Sequence, residues 1–144
     1  MRLPGQGALM IDHTTQQQMH KLTTTWIMLK LSYGLMPIVF GAAKIFNLLT
    51  NWQGYINPTV LRITALSPVH LIYIVGTIEI TIGLIVLSKF TRIGAYLIAS
   101  WIIVAGTFFA MGHHYDAVAR DLVMAVGALA LARITEILHD MRTS

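Results

Sequence analysis

Glu79 is the residue from which any chemistry in this chain would have to start. It is a single carboxylate in an apolar run about as long as a membrane-spanning helix. An acidic charge at the centre of such a helix costs roughly 3 kcal/mol on insertion scales. Because Gly76 and Gly83 lie on the same helix face as Glu79, a neighbouring backbone can come close to that face. The spacing predicts that Glu79 faces the interior of a helix bundle.

Lys44 is the cation best placed to pair with Glu79. It follows Gly41 on the preceding apolar run, which should cross the membrane outward, whereas the run with Glu79 returns inward. We expect Lys44 about one or two helical turns nearer the outer face, within reach of its long side chain. Two interpretations remain open. In the first, the ion pair, or Glu79 acting as a proton acceptor, lines a ligand cavity. In the second, the role is structural: either the ion pair fixes the register of the helices, or Glu79 is neutral and bonded to a neighbouring Thr, Tyr or Trp.

Arg120 and Asp121 form a second polar pair, at the outer mouth of the last apolar run. Together with Lys44 and Glu79 they are the candidate ligand site of this chain. The pair could hold a polar head group; the alternative is an arginine that reaches the membrane surface beside a local partner. The sequence assigns no residue a catalytic role.

His113, His114 and Asp116 are the candidates for a metal site, because imidazole and carboxylate groups suit Zn, Cu or Fe. Adjacent histidines in one turn need further ligands to chelate an ion, and no HxxxH or ExxH pair lies on any span. The alternative is a solvated helix junction in which Asp116 caps the next helix. We therefore expect no intrinsic metal.

Composition places these residues in a membrane. Of 144 residues, 56% are hydrophobic and 11% charged, which is outside the usual range of soluble domains. The absence of cysteine excludes thiol catalysis, disulfides and Fe–S ligation. The basic residues are scattered near the ends of apolar runs and form no patch, which argues against nucleic acid as a partner.

The elements that must position the polar groups are four helices. The sequence predicts an all-α, integral membrane four-helix bundle over residues 25–140, preceded by a polar leader at 1–24 that is partly helical. The segment 50–68 is predicted to be an ordered interfacial loop that places Trp52 and Tyr55 in the aromatic belt. The predicted spans are 25–49, with a bend near Pro37, 69–87, 93–111 and 118–138. The glycines predicted to pack helices closely are Gly34, Gly41, Gly76 and Gly83.

Charge asymmetry predicts the orientation, since cytoplasmic flanks hold the excess of Lys and Arg. The outer flanks carry only Arg62 and Arg120. Both termini should therefore be cytoplasmic, and the location should be a prokaryotic cytoplasmic (inner) membrane. The basic residues on the predicted cytoplasmic side are Arg2, Lys21, Lys89, Arg92, Arg133 and Arg142.

Several short motifs, in this order, resemble the DoxX-like family of small four-helix membrane proteins over about residues 26–138. The resemblance implies a four-helix bundle in or beside membrane oxidoreductase systems, including quinone-linked ones. It also implies that three pairs of residues occupy the family's recurrent polar positions: Gly41 and Lys44, Gly76 and Glu79, and Arg120 and Asp121. The motifs are Tyr33-Gly34, GAAKIF at 41–46, GTIE at 76–79 with Gly83-Leu84, Tyr115, ARDL at 119–122 and GALAL at 127–131.

These observations lead to an expected function and two rivals. The first is an accessory subunit of a larger membrane oxidoreductase complex, which it stabilises or whose quinone or lipid environment it shapes. The second is a self-contained quinone or small-molecule binder with Glu79 as proton acceptor. The third is a transporter, which four spans without broken helices or an inverted repeat favour only as an oligomer. Quinone and lipid are the candidate ligands, and membrane lipids and a larger complex the expected partners.

Overall fold

The computed structural model describes residues 6–48 and 51–143, with side chains for 15–48, 51–54 and 56–141. Within these ranges the chain contains helices and turns and no strand, which confirms the predicted all-α class. A 3-10 turn, Trp52–Tyr55, lies between the first two helices. The helices are α1 (Gln6–Ile45), α2 (Pro58–Thr64), α3 (Pro68–Leu87), α4 (Thr91–Met111) and α5 (Tyr115–Thr143).

Four of these helices are long and apolar enough to cross a membrane, which confirms the predicted four-helix membrane bundle. The last three spans differ from the predicted ones by a few residues, whereas the first begins at Thr15, ten residues before the predicted start, and α1 ends at Ile45 rather than at 49. The predicted spans leave only residues 88–92 between the second and third helices, and the turn between α3 and α4 occupies residues 88–90. The candidate spans are Thr15–Ile45, Pro68–Leu87, Thr91–Met111 and Tyr115–Met141.

The four long helices form a closed ring, in which α1 packs along α3, α3 along α4, α4 along α5 and α5 against α1. Alanines let the helices come close: Ala95, Ala128 and Ala132 are completely buried. Val86 and Leu131 are the large completely buried side chains of this core. The core therefore lies mainly among α3, α4 and α5.

The predicted leader is helical and continuous with the first span. α1 has 40 residues, about 60 Å at 1.5 Å per residue, which is about twice the hydrocarbon thickness of a bilayer. No Gly or Pro interrupts residues 8–33, and good helix formers such as the exposed Gln16 and Gln17 carry the helix outward. The helix also continues through Pro37. Residues 1–5, including Arg2, lie outside the described residues.

The segment predicted as a loop at 50–68 contains α2, so that prediction is wrong for residues 58–64. The Asn57 side chain accepts a hydrogen bond from the Thr59 N–H at 2.8 Å, and Pro58 occupies the first helical turn. Ala65, with φ of 53°, ends the helix. The Asn57 amide also donates to the Met111 carbonyl at 3.0 Å, which ties α2 to the end of α4. The Tyr55 side chain lies outside the described residues.

The start of the first span and the end of the last lie at the same end of the bundle. The Trp26 indole N–H donates to the Thr135 hydroxyl at 2.8 Å, and Lys30 donates to the Ser88 carbonyl at 2.9 Å. An even number of spans requires this arrangement. Which end faces the cytoplasm stays a prediction, and the side chain of Arg142 lies outside the described residues.

Candidate functional site

Two glycine pairs set how α1 and α3 meet. A Cβ on Gly41 would lie 2.5 Å from the Gly76 carbonyl oxygen, and a Cβ on Gly83 would lie 2.6 Å from that of Gly34. Both helices space their glycines seven residues apart, which is two turns, so the pairs match in antiparallel register. Backbone therefore contacts backbone along this interface, at the four glycines that the sequence singled out.

Lys44 and Glu79 form an ion pair within that interface. The Lys44 Nζ lies 2.8 Å and 2.6 Å from the two carboxylate oxygens of Glu79. Helical side chains lean toward their own N-terminus, so in antiparallel helices both lean toward the level of Gly41 and Gly76. The side chains are only 15% and 14% exposed. Glu79 thus faces α1 in the bundle, as its glycine neighbours predict.

Aromatic rings cover the lysine end of the pair. The ring of Trp52 lies 4.6 Å from the Lys44 Nζ and that of Phe40 lies 5.9 Å away, both within cation–π distance. The Trp52 indole N–H donates to the Leu48 carbonyl at 2.9 Å, which holds the ring over the end of α1. The ammonium group is therefore screened from its surroundings by rings as well as paired.

Trp101 approaches the same carboxylate from α4. Its indole N–H faces Glu79 but lies outside hydrogen-bond geometry, and this buried nitrogen has no partner among the described residues. A buried N–H donor usually finds an acceptor. The sequence pattern did not single out Trp101 among the aromatic residues. A signal for contact with Glu79 is nevertheless present in the sequence, because the apolar span of α4 places the Trp101 donor at the depth of Glu79.

Trp101 also lines a groove between α3 and α4. The groove has a volume of about 480 Å³, opens sideways and is almost entirely apolar. Its polar hydroxyls include those of Thr77 and Thr81, which donate to carbonyls of their own helix. Among the described residues that line the groove, the Trp101 N–H is the buried side-chain donor without a hydrogen-bond partner.

The second predicted pair lies at a different interface. Asp121 faces α4 beside Gly106, and the Arg120 Nε lies 3.4 Å from its Oδ1. Among the described residues, no hydrogen bond or ion pair joins Arg120 or Asp121 to Lys44 or Glu79. The four residues proposed as one site thus fall into two pairs, one between α1 and α3 and one between α4 and α5.

The turn before α5 carries the residues considered for metal binding. His113 has φ of 61°, and its Nδ1 lies 3.2 Å from the Tyr115 hydroxyl. His113, His114 and Asp116 are exposed, and Asp116 lies inside the first turn of α5 rather than before it. In the described part of the chain, no group of three or more His, Cys, Asp or Glu side chains could hold a metal.

A carboxylate at the opposite end of the bundle is also paired. Glu136 accepts hydrogen bonds from the Tyr96 hydroxyl at 3.0 Å and from Arg133 at 3.2 Å. Arg92 lies 3.0 Å from the same carboxylate. This cluster links the start of α4 to the end of α5.

No protein-family model, curated protein or solved structure matches this chain.

What the polar groups can do chemically follows from their geometry. The Lys44–Glu79 pair is closed, while the Trp101 donor and the Asp121 carboxylate each retain capacity for a further hydrogen bond. The two open groups have opposite character, one being a donor and the other an acceptor.

Proposed function

We propose that this protein is a small accessory subunit of a larger membrane oxidoreductase complex, quinone-linked or of another respiratory type. It stabilises that complex or shapes its quinone and lipid environment. The observation that supports this proposal best is the sideways-open groove between α3 and α4, because apolar volume facing the membrane suits a quinone tail, a lipid chain or a partner's helix. The oxidoreductase class comes from the motif resemblance to the DoxX-like family.

Purification from native membranes in a mild detergent tests this proposal. The tagged protein, expressed at its natural level, should elute with stoichiometric amounts of larger oxidoreductase subunits, identified by mass spectrometry. A lone, monodisperse protein without partners or quinone would contradict the proposal.

A groove variant and a matched control sharpen the test. Ser100 lines the groove and is exposed, so Ser100→Trp should fill it and reduce the recovered partner or quinone. Thr24 is also exposed but hydrogen-bonds within α1, far along the chain from the groove, so Thr24→Trp should leave recovery unchanged. Equal recovery with both variants would exclude the groove as the contact.

A second candidate function is a self-contained quinone or small-molecule binder in which Glu79 accepts a proton. The unpartnered Trp101 N–H favours it, because this donor could bind a ligand carbonyl beside the Glu79 carboxylate. The ligand would then contact a donor and a proton acceptor at the same depth of the membrane.

Binding of a short-chain quinone to the protein in nanodiscs tests this candidate. Trp101→Phe removes the donor and keeps an aromatic ring, and it should weaken binding about tenfold. Glu79→Gln should abolish any turnover while the helix content is retained, whereas Glu136→Gln at the opposite end of the bundle is the control. Unchanged binding and activity in both site variants would exclude this function.

The membrane location and orientation belong to the same proposal. We place the protein in a prokaryotic cytoplasmic membrane with both termini inside. A C-terminal reporter that is active only in the cytoplasm should be active, and one that is active only outside should be silent.

A further inference from the structure

A small cavity between α4 and α5 has Asp121 among its lining residues. The cavity has a volume of about 220 Å³. Its walls are mostly apolar or small side chains of the two helices, and the Thr107 hydroxyl donates to the Ile103 carbonyl of its own helix. The walls include Ile102, Gly106, Ala110, Val118 and Leu122. Asp121 is therefore the one acidic group of an otherwise apolar cavity.

Asp121 has acceptor capacity that the described residues do not use. The residue is only 8% exposed, yet its carboxylate accepts one long hydrogen bond, 3.4 Å from the Arg120 Nε. A carboxylate offers about four acceptor positions. The space beside Gly106 is not tightly packed, since a Cβ added there would make only an ordinary contact, 3.7 Å from the Asp121 Cβ. A cationic hydrogen-bond donor would stabilise a buried carboxylate in such surroundings.

Arg120 supplies the complementary charge at the rim of the cavity. Its side chain is 65% exposed, and no side chain in the described part of the chain engages its terminal amino groups. A guanidinium group with free amino groups binds phosphate well. Asp121 lies six residues beyond the start of α5 at Tyr115, about 9 Å along the helix axis. At this distance from the end of the helix, Asp121 lies close enough to the head-group region of a bilayer for a lipid head group to reach it.

We propose that this cavity binds a zwitterionic phospholipid whose head group carries a primary ammonium. The ammonium donates to Asp121, the phosphate contacts Arg120, and the first part of an acyl chain lies against Ile102 and Leu122. A primary ammonium has three N–H donors, a quaternary ammonium has none, and a phosphatidylglycerol head group brings no cation to Asp121. The inference does not depend on the accessory-subunit proposal, because the isolated protein should bind the lipid.

Native mass spectrometry of the purified protein tests the inference. The protein is equilibrated with equal amounts of dioleoyl phosphatidylethanolamine, phosphatidylcholine and phosphatidylglycerol. One molecule of the ethanolamine lipid should be retained about tenfold more than either competitor, as expected for charge-assisted hydrogen bonds. Asp121→Asn and Arg120→Gln should each reduce this preference to about twofold or less.

Matched controls separate the cavity from general surface charge. Asp116→Asn removes an exposed carboxylate near the start of the same helix, and Arg133→Gln removes an exposed arginine near its end. Both controls should keep the preference of the natural protein. A preference lost equally in Asp116→Asn and Asp121→Asn would overturn the assignment to this cavity.

A lipid series makes the test independent of any variant. Retention by the natural protein should fall stepwise as the ethanolamine nitrogen is methylated once, twice and three times, because each methyl group removes one N–H donor. Equal retention across this series, or equal retention of the three lipid classes, would overturn the proposal.

Discussion

Glu79 and Asp121 are carboxylates of similar burial on two helices that could cross a membrane, but their surroundings differ. Both oxygens of Glu79 lie within 2.8 Å of the Lys44 Nζ, at an interface where glycines bring two backbones into contact. Asp121 has one contact of 3.4 Å with an exposed arginine and borders an open cavity. The first carboxylate is engaged from within the chain, and the second retains acceptor sites for a ligand.

The difference shows that the cost of a charge in an apolar environment can be offset in two ways. An internal partner offsets it permanently and also sets the register of two helices. An external ligand offsets it only when bound, so such a group is suited to recognition. Burial alone does not distinguish the two cases, whereas partner distance and free volume do.

Loss of the internal partner should have the largest effect. Lys44→Met leaves Glu79 without its cation between α1 and α3, and it should destabilise the bundle by about 3–5 kcal/mol. Thermal unfolding in detergent measures this loss. The double variant Lys44→Met with Glu79→Gln should recover most of it, because the uncompensated charge is gone.

Lys89→Met is the control for this prediction. Lys89 is exposed and lies 5.3 Å from the Phe90 ring, so its removal should leave the stability almost unchanged. If Lys44→Met were as stable as Lys89→Met, Lys44 would not be the group that stabilises Glu79 in the bundle.

Glycine substitutions compare the two interfaces directly. Gly41→Ala should destabilise the protein by about 1–3 kcal/mol, because the new Cβ would lie 2.5 Å from the Gly76 oxygen and 2.8 Å from the Ile80 Cγ1. Gly106→Ala meets only an ordinary contact and should be neutral or stabilising by up to about 1 kcal/mol. Equal unfolding temperatures for the two variants would contradict the contrast between a closed and an open interface.

Removal of the aromatic cover should have a smaller effect. Trp52→Leu deletes the ring that lies 4.6 Å from the Lys44 Nζ and should lower the stability by about 1 kcal/mol. In the Lys44→Met background the same substitution should have a clearly smaller effect, which a double-mutant cycle measures. Equal effects in both backgrounds would show that Trp52 does not stabilise the lysine.

Asp121→Asn should have the smallest effect on stability. In lipid-free detergent we expect no loss and a gain of at most about 0.5 kcal/mol, because the variant removes a buried charge whose contact with an exposed arginine is long. The same unfolding measurement checks this value. A loss comparable to that of Lys44→Met would mean that Asp121 supports the fold as Glu79 does, and the contrast between the two carboxylates would disappear.

Much of the α1–α3 interface could be predicted from the sequence. Apolar runs of bilayer length indicate the spans, and glycines two turns apart on two antiparallel helices can match in only a few registers. The reach of a lysine then brings Lys44 to Glu79. The prediction failed for α2, because the cap formed by Asn57 and Pro58 lies within a segment whose turn-forming residues favour a loop.

The sequence by itself determined which segments are long and apolar enough to cross a membrane, and which charges those segments must shelter, because both follow from length and composition. Only the tertiary structure decided that Asp121 faces α4 and that Trp101 approaches Glu79. The physical reason is that a helix among lipids is apolar on nearly every side, so its pattern does not reveal its rotation. Contacts with neighbouring helices set that rotation, and with it which polar groups are closed and which stay open.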